Sequence, residues 1–432
     1  MKIKNKFLKV LVIIGLVLLG LIGTRLILTN ISTLLLRSYI RSIGRCEYTN
    51  QIVPYKDTEG YYTLRSDEDI NIMVISDIHI GGGPFSIKKD RKTIYEVMTM
   101  VKAEKPDLVI LAGDMTFAVP ALLFNGGGTF NNKMVASNVM YMFKTLGVYY
   151  TVAFGNHDTE SFDYYDRDRI GKEYSKADYC IFESNFDGYG VTNQCILLKD
   201  NNGKIKKVLM VIDSNDYVDT SLRASINWLY DTIHDEQVEW AKQTIETLSS
   251  KEGHLLKSLF FFHIPIGEFE TAYRELKAND FNDTVDTKYI EGVWDEEVSE
   301  EMGGRIWYGG CQYTEVDPRD NDKLFEELGP EGLGSMEAIF VGHDHTNNVT
   351  VSYKGVLLSY GYSIDNLAYT DLAKYGLQRG ATVVTVKNDG SFSQVHKNAY
   401  LDYGVEKDKF YDINLDEYYK NDIALPTKDK RK

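Results

Sequence analysis

Asp77 and His79 are separated by one residue, Asp114 follows Gly113, Asn156-His157-Asp158 follows Gly155, and His343-Asp344-His345 follows Gly342. His263 stands alone behind an apolar run. Carboxylate oxygens mixed with imidazole nitrogens are ligands for divalent transition ions, and the mixture suits Mn, Fe or Zn better than Mg or Ca. Imidazole also moves protons near neutral pH. Each fragment has a bland explanation by itself: Gly-Asp is a common turn, and a histidine closing a strand is usually a satisfied core residue. The specified tetrapeptides Gly155–Asp158 and Gly342–His345 are rare, and both in one chain, in this order, are not a chance event. Five of the eight histidines fall in these fragments. Of the others, His234 lies near a helix start, and His254 and His396 read as surface residues.

The elements that must position these residues are legible as short apolar runs alternating with helical spacing. Ile70 to Ser76 predicts a buried strand, Arg91 to Glu104 a helix, Leu108 to Ala112 a strand, Asn132 to Leu146 a helix, and Val148 to Phe154 a strand. That order predicts a mostly parallel sheet with crossover helices. Lys207 to Ile212 and Leu259 to Phe262 follow as strands, with a helix from about Glu236 to Leu248 between them. Ala338 to Val341, Val349 to Tyr353, Val356 to Tyr360 and Ala381 to Val386 predict a second sheet with hairpins. Each chemical fragment sits just past one of these strands, at the carboxyl edge where open α/β sheets bind ligands. Pro120 to Phe130 and Ile266 to Met336 read as loop insertions of the kind that carry specificity.

The chain has 432 residues, a net charge of −15 and a globular composition. An acidic surface repels polyanions, so no nucleic-acid partner is expected. The four cysteines form no CxxC pair. Cys180 and Cys195 are close enough in sequence to be bridged, and free thiols are the preferred reading of so sparse a set. Lys2, Lys4, Lys6 and Lys9 precede an uncharged run from Val10 to Thr24, and beyond Arg25 the run resumes from Leu26 to Leu36. Extended either way it reaches the ~20 residues a bilayer needs. The expected organisation is an N-terminal membrane anchor over residues 1–44, a catalytic domain over 45–405 and a charged tail over 406–432. The lysines favour a single-pass protein at the cell membrane with its domain outside. A cleaved signal segment and a secreted protein is the alternative.

Together the fragments DxH, GD, GNHD, H and GHxH resemble the signature of calcineurin-like metallophosphoesterases, over roughly Asn71 to Val386. The stretch from Gly342 to Asn348 and the tyrosines and glycines from Tyr360 to Gly380 are similar to a branch allied to the purple acid phosphatases. Phe117 stands where purple enzymes have a tyrosine ligand, so no iron-tyrosinate chromophore is expected. The resemblance implies an α/β fold, a four-layer α/β/β/α sandwich of two mixed sheets. It implies two divalent ions, one held by Asp77, His79 and His345 and the other by Asn156, His263 and His343. Asp114 would bridge both, one carboxylate oxygen to each. The implied reaction is hydrolysis of a phosphoester, on a phosphorylated small molecule or similar substrate, by a hydroxide that the two metals activate. His157 would be the general acid, oriented by Asp158. A diesterase acting on cyclic nucleotides or other diesters, and a metal-binding scaffold without catalysis, are the alternatives.

Overall fold

The computed structural model describes residues 6–118, 131–161, 163–226, 229–292, 323–345, 347–368, 379–399 and 402–405. The expected loop Pro120 to Phe130 and the tail over 406–432 lie outside them. In chain order the elements begin with α1 (Lys6–Ile43), β1 (Tyr55–Lys56), β2 (Tyr62–Arg65) and β3 (Ile70–Ile75). Then come α2 (Ile87–Glu104), β4 (Leu108–Ala112), α3 (Asn132–Leu146), β5 (Tyr150–Ala153) and α4 (Arg167–Tyr174). The middle of the chain forms β6 (Gln194–Lys199), β7 (Ile205–Val211), α5 (Leu222–Ile226), α6 (Asp235–Glu252) and β8 (Ser258–Phe261). Next are α7 (Glu268–Ala278), β9 (Thr287–Glu291) and α8 (Leu324–Leu328). The last strands are β10 (Met336–Val341), β11 (Thr350–Tyr353), β12 (Val356–Tyr360), β13 (Gly380–Val386) and β14 (Phe392–Asn398).

Among the described residues these strands form two mixed sheets, ordered β1-β2-β6-β7-β8-β10-β12-β11-β9 and β14-β13-β3-β4-β5. In the smaller sheet β3, β4 and β5 are parallel, with Ile72 opposite Leu108 and Val109 opposite Tyr150. The runs are apolar throughout because both faces are covered. Ile72, Val74, Ile110 and Ala112 meet Leu209, Val211, Phe261 and Phe340 of the larger sheet in a core between the two. The alternate residues Met73, Ile75, Val109 and Leu111 pack outward on α1, α2 and α3. The outer face of the larger sheet is covered by α6, α7 and α8. The result is the four-layer α/β/β/α sandwich.

Three expectations need correction. The last four predicted strands do not form a sheet of their own. β10, β11 and β12 extend the larger sheet, while β13 pairs antiparallel with β3, Val383 opposite Met73. Apolar spacing identifies a strand but not its neighbour. The presumed insertion from Ile266 to Met336 holds α7, β9 and α8 among its described residues.

The third correction concerns the boundary at residue 44. α1 is a single helix whose first part, from Phe7 to Leu28, is largely exposed and apolar. Its second part buries Thr29, Ser32, Thr33, Leu36 and Ile40, one helical stripe, and Leu36 and Ile40 join the core formed with α2 and α3. Arg37 Nε donates to Asn138 Oδ1 at 3.3 Å, and its guanidinium also reaches Ser137 Oγ. Residues 29–43 therefore pack as part of the sandwich. Cys46, Cys180 and Cys195 are free thiols.

Candidate metal centre

The loops after β3 and β4 are joined to each other by backbone bonds. Asp77 N–H donates to Gly113 O at 3.0 Å, His79 N–H to Asp114 O at 2.9 Å, and Ile80 N–H to Met115 O at 3.1 Å. The loops after β8 and β10 are tied likewise, Gly342 N–H to His263 O at 3.1 Å. To turn ligand side chains inward at the sheet edge, Asp77, His79, Asp114 and His343 take positive φ values of 55°, 46°, 54° and 78°. Aspartate and histidine are among the residues that tolerate this region. The motif glycines answer a different demand. A Cβ on Gly155 would lie 2.1 Å from Asp114 Oδ1, and one on Gly113 would lie 2.3 Å from His263 Nδ1.

These devices bring Asp77, His79, Asp114 and His345 together as one group of ligand atoms and Asp114, His263 and His343 as a second, each within 4.8 Å. Every member is buried. His79 Nε2 lies 3.1 Å from His345 Nε2, and His345 Nε2 lies 3.0 Å from Asp77 Oδ1. Two nitrogens each ~2.1 Å from one ion, at right angles, would be about 3 Å apart. Asp114 is shared, but not as the sequence suggested. Its Oδ1 accepts His157 N–H at 2.8 Å, so one oxygen, Oδ2, faces both groups, 3.4 Å from His79 Nε2 and 3.1 Å from His263 Nε2.

The donors fit metal ions better than they fit one another. Asn156 Oδ1 and His343 Nε2 are buried with no hydrogen-bond partner. A buried orphan of this kind costs ~1–3 kcal/mol, and two beside these crowded carboxylates and imidazoles fit a bound cation. Neighbouring groups aim them. His263 Nδ1 bonds Ala112 O at 2.9 Å, which leaves Nε2 for the ion. Asn156 Nδ2 donates to Tyr217 Oη at 3.2 Å, which turns Oδ1 inward. His345 Nδ1 contacts Ser363 Oγ at 3.2 Å and lies 3.5 Å from Asp365 Oδ2, the carboxylate support common behind ligating histidines. Phe117 packs edge-on to His79, ring centroids 5.3 Å apart, and offers no ligand atom.

Around His157 the expectation for Asp158 is overturned. Asp158 accepts Asp114 N–H, Gly155 N–H and Thr116 N–H, each at 3.0 Å. It pins the turn of Asn156–Asp158 to the β4 loop and does not orient His157. Burial raises its pKa to about 7, with Asp114 adding to the rise and the backbone donors opposing it. The carboxylate that holds His157 is Glu160, whose Oε1 is 2.9 Å from His157 Nδ1. Tyr217 Oη donates to the same Glu160 oxygen at 2.8 Å, linking it back to Asn156. Burial alone would lower the His157 pKa, but the charge of Asp114 and the bond to Glu160 outweigh it and raise it to about 9. The signal for Glu160 was its place three residues after His157, one turn on.

The remaining histidines are not ligands. His234 caps α6 and stacks on Tyr189 with centroids 3.8 Å apart. His254 is exposed, as expected. His396 is not a surface residue. Its side chain lies between the sheets, 2.9 Å from both Thr350 Oγ1 and Thr382 Oγ1.

The chain matches the family model described as calcineurin-like phosphoesterase over residues 70–347. Among curated proteins it is similar to the probable inactive purple acid phosphatase 29 of Arabidopsis thaliana, 27% identical over 69% of this chain and 68% of the relative. It is also similar to the probable inactive purple acid phosphatase 28 of the same plant, 24% identical over 71% and 73%. Among solved structures, a dimetal phosphatase from Danio rerio aligns at 9% identity and a TM-score of 0.46, over 76% of this chain and 96% of that one. The family match spans most of the sandwich and every fragment from Asp77 to His345, and on that ground this chain belongs to the calcineurin-like phosphoesterase family.

Proposed function

We propose that the protein hydrolyses phosphoesters with two divalent ions, Mn, Fe or Zn, held by Asp77, His79 and His345 on one side, by Asn156, His263 and His343 on the other, and by Asp114 Oδ2 between them. The observation that carries this reading is the set of buried carboxylate and imidazole atoms converging in two groups that share Asp114. Bound there, such ions would polarise a phosphoester and lower the pKa of a coordinated water toward neutrality. The chain's own residues do the rest. Asp114 and the turn of Asn156–Asp158 are locked together by Asp158, so the ligands hold their spacing. His157 is about a fifth exposed on its side chain, so a substrate can reach it. Glu160 on Nδ1 leaves Nε2 as the ring nitrogen that can give a proton to the departing alkoxide.

The N-terminal helix is long and apolar enough to cross a membrane. It continues without a break into the part that packs on α2 and α3, which favours a retained anchor over a cleaved signal.

The test is release of phosphate from aryl and alkyl phosphomonoesters, and of the aryl alcohol from a bis-aryl diester, by the Mn-, Fe- and Zn-loaded protein, beside Asp114→Asn. Turnover in the parent, with activity and bound metal both lost in the variant, is the expected result. The names of the plant relatives favour a second reading, a metal-binding scaffold. Tight metal binding with no turnover on any ester would establish that reading instead.

A further inference from the structure

The direction in which α1 leaves the domain says where the metal centre faces. β3 leads into α2 and β4 into α3, so both helices start at the carboxyl edge of the sheet, beside Asp77 and Asp114, and run away from it. α1 lies alongside them and runs the same way. Its Arg37 meets Ser137 and Asn138 near the start of α3, and its Tyr39 lies under Arg91 near the start of α2. Farther on, Ile43 O accepts Lys102 Nζ at 2.7 Å near the end of α2, and Cys46 N–H reaches Leu146 O at 2.9 Å at the end of α3. Partner numbers rise together, so α1 comes in from the carboxyl edge. Arg37 is level with a residue five positions into α3, so the chain before about Ser32 stands beyond that edge. At 1.5 Å per residue, residues 6–31 extend about 39 Å past it, enough for the ~30 Å hydrocarbon layer of a bilayer. The exposed apolar side chains Phe7, Leu11, Ile14, Leu18 and Leu21 lie on this part.

The surface beside the exit point suits a bilayer. The segment between β3 and α2 puts Phe85 in solvent, 81% exposed. Lys88 and Lys89 follow in the first turn of α2, and Lys133 stands exposed in the first turn of α3. Tyr164, 63% exposed, follows β5 at the same edge. An aromatic tip with lysines around it is how interfacial segments meet anionic headgroups. The basic patch is local, in a chain whose net charge is −15. Acidic residues of this edge, among them Asp166, Asp168, Asp216, Asp219, Asp235, Glu236 and Glu268, come after β5, β7 and β8, away from the α2 and α3 starts.

We propose that the carboxyl edge lies against the bilayer to which α1 anchors it, and that the metal centre therefore takes phosphoesters presented by lipid headgroups at the membrane surface. The substrate half of this rests on the phosphoesterase reading above. The orientation half does not.

Two measurements on the full chain in phosphatidylcholine–phosphatidylglycerol vesicles separate the halves. Cys180 and Cys311 are replaced by serine, the buried Cys46 and Cys195 are kept, and a fluorophore is placed on Phe85→Cys or on Asn202→Cys. Asn202 is exposed between β6 and β7, at the far edge. Headgroup-level spin-labelled lipid should quench the label at position 85 at least threefold more than the label at 202. Equal quenching, or stronger quenching at 202, overturns the orientation. With Mn bound, phosphatidic acid in the vesicles should release phosphate faster than soluble glycerol phosphate at equal bulk concentration. Lys88→Glu with Lys89→Glu should lower that ratio several-fold. A ratio at or below one, or one that the double substitution leaves unmoved, overturns the lipid-substrate assignment. No release from either ester refutes the phosphoesterase reading itself, and the label positions still decide the orientation.

Discussion

Removing residues 1–44 should destroy the folded domain, whereas removing residues 1–27 should leave it intact. The first cut takes away Leu36 and Ile40, both 0% exposed. Full burial of an aliphatic side chain is worth ~1.5–3 kcal/mol. The α2 and α3 side chains beneath them become exposed in turn, a loss of similar size, so the apolar cost is of order 10 kcal/mol. The bonds from Arg37 to Asn138 and from Lys102 to Ile43 go as well. A total stability of ~5–15 kcal/mol does not survive that. The cut after residue 27 removes only the exposed apolar part and keeps the stripe from Thr29 to Ile40. Both truncated proteins would be expressed without detergent, and their thermal unfolding and bound metal compared. A variant lacking 1–44 that melts within a few degrees of the longer one, with its metals in place, would refute the placement of residues 29–43 in the core.

Other outcomes follow from the site and the sheets. His157→Ala should slow alkyl phosphates by roughly 10²–10⁴-fold and activated aryl phosphates much less, because only the former need a proton on the leaving oxygen. Glu160→Gln should show the same leaving-group pattern more weakly, with bound metal unchanged. Equal losses on both esters would mean that the pair binds phosphate instead. Gly155→Ala should fold but lose metal, since its Cβ would displace Asp114 Oδ1 from 2.1 Å away. Full metal content by atomic emission would count against the close packing. Burial lowers the His396 pKa to about 4, against ~6.5 in the unfolded chain. The unfolded chain then takes up the proton first as pH falls, so stability holds above pH 6.5 and drops by roughly 3 kcal/mol between there and pH 4. His396→Gln should remove that part of the acid sensitivity, read as urea midpoints at pH 7 and pH 4.5. An unchanged difference between the two midpoints would contradict it.

The strands that carry ligands were legible because they are short apolar runs ending in residues that no packed strand would choose: Ile75 before Ser76-Asp77, Ala112 before Gly113-Asp114, Phe261 before Phe262-His263. The spacing of helix and strand also gave α2, α3 and the parallel β3-β4-β5. What it left out depends on partners distant in sequence. Leu26 to Leu36 is equally apolar whether it meets lipid or α3, so α1 read as anchor throughout. Val383 alternates like any strand residue, and nothing local says that it pairs with Met73 rather than with the larger sheet. Asp158 and Glu160 are both acids within three residues of His157. Only the fold shows that the nearer one faces backbone amides and the farther one the imidazole. His396 sits on an exposed-looking strand, and its burial comes from Thr350 on the other sheet.

Four residues of the centre hold positive φ, and for an L-residue that conformation costs roughly 1–2 kcal/mol. Together with the orphaned donors, the region is a standing debt within the fold that only a bound cation settles. Random substitution runs downhill from such a place: glycine at position 77 or 343, or an apolar residue at 263, would make a metal-free chain sturdier. A sequence released from the need for metal would therefore shed these residues first. Asp77, His79, Asp114 and His343 are all present in this chain, each in that costly conformation.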